Sequence, residues 1–127
     1  MVYGAGLLIA ADQGVREVWA DHRVVLETGV PPTTTAPVVA QVSRDGSRQS
    51  LLRRLLRGCS IVDLASHDAH EVGALLGRAG GSDVVDAHVV LIASRVAPTT
   101  VLTSDPEDIK ALVDHIDPRV AISIERV

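Results

Sequence analysis

The chain has 127 residues, 46% of them hydrophobic, and a formal net charge of −4. That length fits one domain spanning residues 1–127 with a real core, and the acidic balance excludes nucleic-acid binding through overall charge, leaving only a local basic footprint. Aromatics are 2% and Phe is absent, so the core must be Val, Leu, Ile and Ala, a composition that suits parallel sheets buried on both faces.

Met1-Val2-Tyr3 reads as a short strand, which Gly4-Ala5-Gly6 turns into a helix from Leu7 to about Gln13. Gly14 breaks that helix. A second, amphipathic one runs from Val15 to about Thr28 and ends at Gly29. Pro31-Pro32 forces an extended entry to a strand at Thr33-Thr34-Thr35, and Pro37 opens a helix to about Arg44. Gln49 to Arg57 is a basic amphipathic helix. Leu51, Leu52, Leu55 and Leu56 lie on one side, with Arg48, Arg53, Arg54 and Arg57 on the other. Cys59 to Leu64 alternates as a strand does, and Ser66 is the expected cap of a helix ending near Gly80-Gly81. A final strand is expected over Val120–Ile124, after the Asp117-Pro118 turn. The order β-α-α-β-α-α-β-α-α-β-α-β predicts a three-layer α/β/α sandwich with a mainly parallel central sheet.

The one cysteine, Cys59, excludes an internal disulfide and a one-chain thiolate cluster. It fits a reducing compartment and a small buried residue. No apolar run reaches the roughly 18 residues that a membrane span needs. The first residues lack the basic flank of a signal peptide, so a cytoplasmic protein with no membrane partner is expected.

Chemistry concentrates between Ser82 and Asp108. Val85, Val89, Ile92 and Val96 recur at helical spacing with Ala87, Leu91 and Ala93 between them, so this helix is covered on most sides. Ser82 is its expected N-cap, with Asp83 and Asp86 in the first turn on one face. Thr99 to Thr103 is a β-rich run, and Ser104 or Asp105 caps a helix from Pro106 to His115. Asp105 therefore stands at the carboxyl end of a strand, where open α/β sheets bind ligands. Each acid also has a plainer role. Asp83 and Asp108 suit helix electrostatics and capping, and Asp105 a cap. His88 suits a packed position, Trp19 a core or dimer contact, and the arginine face a solvated surface. Gly4-x-Gly6 lacks the rest of a dinucleotide fingerprint.

These residues carry a resemblance. Val85-Asp86-Ala87 through Ala93, followed by Val101-Leu102-Thr103-Ser104-Asp105, resembles PIN-domain proteins, in particular VapC-like toxins of type II toxin–antitoxin pairs. Length and element order agree across the whole chain. The resemblance implies a metal-dependent endoribonuclease, with Mg²⁺ or Mn²⁺ on an acidic cluster, an antitoxin partner and a homodimer. The sequence departs from that pattern at Gly4, where an aspartate is expected, and near Gln41, where a glutamate is expected.

A hard divalent cation favours carboxylate oxygens and water. Asp86 and Asp105 are the candidate catalytic ligands, with Asp83 and Asp108 as further metal-site candidates. Ser104, Arg53 and Arg57 are candidates for substrate phosphates. Crowded carboxylates repel, so at least one should show a raised pKa. Without an acid at Gly4, a nuclease weakened on the order of 10²–10³ is expected, unless Asp12 or another acid substitutes. An inactive PIN module acting through protein binding is the alternative. A receiver-like domain is disfavoured because Lys110, the only lysine, lies in the wrong helix.

Overall fold

The computed structural model describes residues 1–127 in full. Its elements are β1 (Val2–Tyr3), α1 (Ala5–Asp12), α2 (Arg16–Glu27), β2 (Thr33–Thr35), α3 (Ala36–Val42) and α4 (Ser50–Leu56). They continue with β3 (Ser60–Val62), α5 (Ser66–Ala79), α6 (Val84–Arg95), β4 (Thr99–Thr103), α7 (Pro106–Val113) and β5 (Ile122–Arg126). This is the strand and helix alternation that the sequence predicts.

All strand pairs are parallel, in the order β3-β2-β1-β4-β5. The chain moves outward from β1 to β3, then returns to the other side of β1 as β4. The switch point therefore lies between β1 and β4, where this class of sheet opens its ligand crevice beyond the carboxyl ends. Helices α1 to α4 form one group around α1, and α5, α6 and α7 pack on one another. With the sheet they make the three-layer α/β/α sandwich. No helix is long and apolar enough to cross a membrane.

The core is aliphatic, as the composition requires. Val2, Leu8, Leu55, Val90 and Val101 are fully buried, and Tyr3 and Ile109 nearly so. Helix α6 is the most deeply seated, with every residue from Ala87 to Ala93 buried. Full burial of a Val or Leu side chain stabilises by roughly 1.5–3 kcal/mol, so a run of them makes α6 a firm platform for Asp86 in its first turn.

Several boundaries differ from expectation for identifiable reasons. Asp83, not Ser82, is the N-cap of α6, because its Oδ1 accepts from the Asp86 backbone N–H at 2.9 Å. Ser66 is the first residue of α5 rather than its cap, and Ala65 holds the cap position. The last strand starts at Ile122, since the Asp117 turn extends further than expected. Val120 N–H reaches Asp117 O at 2.9 Å, and Arg119 is clamped on the Asp117 carboxylate at 2.7 Å. The basic helix begins at Ser50 because the Gln49 side chain instead ties the preceding loop, accepting from Arg44 N–H at 2.8 Å.

Candidate functional site

Three helix starts meet at the carboxyl ends of β1 and β4. Helix α1 follows β1 directly, α7 follows β4, and α6 brings Asp83 and Asp86 from the side. Gly4 N–H donates to Leu102 O at 2.9 Å, locking the end of β1 to β4. Gly6 allows this closeness. A Cβ there would sit 2.6 Å from the Ser104 side chain, so any larger residue would push α1 off the end of β4.

The result is a narrow cavity of about 80 Å³. Asp83, Asp86, Asp105 and Ser104 line it together with Gly4 and Gln41. Residues 86 and 105 are 19 positions apart in sequence, yet they face one space. The two positions that lack the expected acids open onto the same space. Asp108 lines an adjoining hollow with Asp83 and Asp86.

The electrostatics follow from this crowding. Burial, and then the charges of Asp83, Asp105 and Asp108, push the Asp86 carboxyl up to about 6. No arginine or lysine lines the cavity to relieve it. Partial relief comes from the positive ends of α1, α6 and α7. Asp83 already uses one oxygen as the α6 cap. Asp105 takes the cap position of α7 without a side-chain cap bond. Its backbone N–H is held by Thr103 Oγ1 at 3.0 Å, and Ser104 Oγ stands 3.5 Å from Asp105 Oδ2. Asp105 is thus placed by its backbone, with one carboxylate oxygen within reach of the Ser104 hydroxyl.

A hard divalent cation suits these donors in kind, since they are carboxylate, hydroxyl and amide oxygens beside a carboxyl that resists ionising. The number of acids is short. No group of three or more His, Cys, Asp or Glu side chains is gathered closely enough to hold an ion. Gly4 and Gln41 open onto the same cavity and supply no carboxylate to it. At position 4 the φ is −84°, open to any residue, but a Cβ would stand 3.1 Å from Leu102 O, so a side chain there requires the β4 backbone to give by a few tenths of an ångström.

Other candidates fall elsewhere. Asp12 does not substitute for the missing acid. Its carboxylate accepts from Gln49 Nε2 at 3.1 Å and Leu52 N–H at 3.3 Å, tying α1 to the start of α4. Arg53 and Arg57 are exposed at the end of α4 and do not line the cavity. His88 is fully buried, and neither ring nitrogen has a partner. Arg126 escaped the sequence reading. Its guanidinium donates to Ser104 O at 3.0 Å and to Glu107 at 3.1 Å, pinning the loop that carries Asp105. The signal would have been the strand end, had β5 been extended two residues. A larger, mainly apolar groove of about 720 Å³ shares no lining residue with the carboxylate cavity, and Met1, Val15, Val24 and Val127 are exposed along it.

No protein-family model matches the chain, and no curated protein matches it. Among solved structures it is similar to a chain of VapBC2 from Rickettsia felis, determined bound to a DNA fragment from their promoter. The TM-score is 0.66 at 16% identity, covering 98% of this chain and 99% of that one. At this identity the likeness is one of fold, and it runs end to end.

Proposed function

We propose that the chain is a VapC-like toxin component of a toxin–antitoxin pair, with a weakened ribonuclease site that takes Mg²⁺ or Mn²⁺ at Asp86 and Asp105. One observation carries this reading. Asp86, Asp105, Gly4 and Gln41 open into a single cavity at the switch point of the sheet. The end-to-end fold likeness to a chain of VapBC2 supports it.

When bound, the cation supplies charge relief on the phosphate and a water activated near neutral pH. The protein's own contribution is placement. Asp83 fixes the first turn of α6 and, through it, Asp86. Thr103 and Arg126 hold the two ends of the peptide that joins Ser104 to Asp105, and the Ser104 hydroxyl stands 3.5 Å from one Asp105 carboxylate oxygen. The first N–H groups of α1 have no side-chain cap and suit a phosphate oxygen. Arg53 and Arg57, outside the cavity, suit RNA phosphates further along the strand or an acidic antitoxin segment.

The test is cleavage of a structured RNA with Mn²⁺ by the natural chain and by Gly4→Asp. Restoring a carboxylate raises the rate by about 10²–10³. An unchanged rate would mean that position 4 is not a ligand position. A second reading, an inactive module that binds an antitoxin or its own copy, is favoured by the exposed apolar groove along α2. It predicts no cleavage by either protein.

A further inference from the structure

On the opposite side of α2 from the apolar groove lies a second hollow of about 460 Å³, between α2 and the end of α4. Trp19, His22 and Arg23 reach it from α2, and Arg54 and Gly58 from α4 and its exit. Its chemistry is basic and polar where the carboxylate cavity is acidic.

The key residue is His22, only 4% exposed. Tyr3 Oη holds its Nδ1 at 3.0 Å. A buried histidine that spends one nitrogen inside the fold usually spends the other there too. Here Nε2 makes no hydrogen bond within the protein and points toward Gly58, where a Cβ would stand 3.2 Å away. The missing side chain at residue 58 is what leaves that nitrogen a way out to the hollow. Burial lowers the His22 pKa and raises that of Tyr3. The pair is therefore a neutral imidazole and a protonated phenol, and a Tyr3 hydroxyl that donates to Nδ1 leaves the ring proton on Nε2.

Two guanidinium groups face the same hollow. Arg54 lies over the Trp19 ring, 5.6 Å from its centroid, and the indole is itself fixed by Nε1 donating to Ala11 O at 2.9 Å. Arg54 has no carboxylate partner. Arg23 pairs only with Glu27, at 3.4 Å on the open surface, a contact of little strength. The acids Glu17 and Asp21 on α2 line the other groove.

We propose that this hollow is an oxyanion site for a phosphoryl group, which accepts from His22 Nε2–H and pairs with Arg54 and Arg23. An N–H donor and two planar cations lining one hollow match a tetrahedral oxyanion in kind, and the volume leaves room for what the phosphoryl group is attached to. The site is independent of the carboxylate cavity and of any cleavage there.

The test is a titration followed by ¹H–¹⁵N spectra of the His22 ring and the Arg54 Nε. Inorganic phosphate, adenosine monophosphate and a single-stranded RNA oligonucleotide are added in turn. Saturable shifts of both signals with any of the three support the site, and the tightest binder identifies the source of the phosphoryl group. Arg54→Gln, at an exposed position, weakens binding about tenfold or more. Gly58→Ala places a methyl group against Nε2 and does the same while leaving every donor in place. Asp86→Asn binds as the natural chain does. No saturable shift with any ligand overturns the proposal, and so does unchanged binding by both Arg54→Gln and Gly58→Ala.

Discussion

Asp68 and Asp86 stand in the first turns of consecutive helices, α5 and α6. Helix-end electrostatics favour both equally, yet their surroundings send them in opposite directions. Asp68 is buried and meets the Arg95 guanidinium at 2.6 Å, with His67 at 3.2 Å, and this hydrogen-bonded pairing holds its carboxyl below the ordinary range. Asp86 meets burial and three other acids, and its carboxyl rises to about 6. A carboxylate given its own arginine is part of the framework. A carboxylate crowded by others and given none is a candidate for a functional site, and the proposed function puts a cation there.

That contrast can be broken at either end. Asp68→Asn strands Arg95 with only the exposed Glu71 at 3.3 Å. It should lower the thermal midpoint most in the series, by roughly 5 °C or more at neutral pH. A depressed folded pKa contributes stability that is present above the unfolded value of about 3.9 and is lost as pH falls. The deficit of Asp68→Asn should therefore shrink below about pH 4, which midpoints at a series of pH values would record.

Asp86→Asn should do the opposite. A carboxyl raised to about 6 favours the native state below its unfolded pKa and loses that advantage as pH rises through about 6. The amide should stabilise the metal-free protein by about 1–2 kcal/mol at pH 8, allowing for solvent screening, and by nothing near pH 4. Denaturant unfolding at the two pH values would show it. Equal stability at pH 8 would mean that neither burial nor the neighbouring acids raise the Asp86 carboxyl.

The smallest effect is expected from Asp83→Asn. Asparagine caps as well as aspartate, so α6 should keep its start. Asp86 should titrate lower, but only part of the way to an ordinary carboxylate, because burial is the first cause of its shift and Asp83 the second. Carboxyl ¹³C shifts followed with pH would measure the change.

Much of this framework was legible in the chain. The apolar spacing from Val85 to Ile92 and the run Thr99–Thr103 are strong local patterns, and they gave α6 and β4 with Asp86 and Asp105 at their ends. Caps were less legible, because Ser82 and Asp83 are equally good cap residues and only the turn geometry selects Asp83. Pairings across many residues were not legible at all. Nothing local marks Arg95 as the partner of Asp68, 27 positions away, or Arg126 as the clamp on Ser104 O, 22 positions away. Nor does spacing reveal that Asp12 is spent on the start of α4. Such contacts depend on which helices and strands pack together, and only the assembled fold settles that.

The central claim is that Asp86 and Asp105 share one hard cation despite the missing acids. Paramagnetic broadening by Mn²⁺ in carboxyl-detected spectra tests it most directly. The account predicts that substoichiometric Mn²⁺ broadens the Asp86 and Asp105 signals together, and that Asp86→Asn abolishes the broadening at Asp105. Broadening of only one of them, or of Asp105 undiminished in Asp86→Asn, would contradict it.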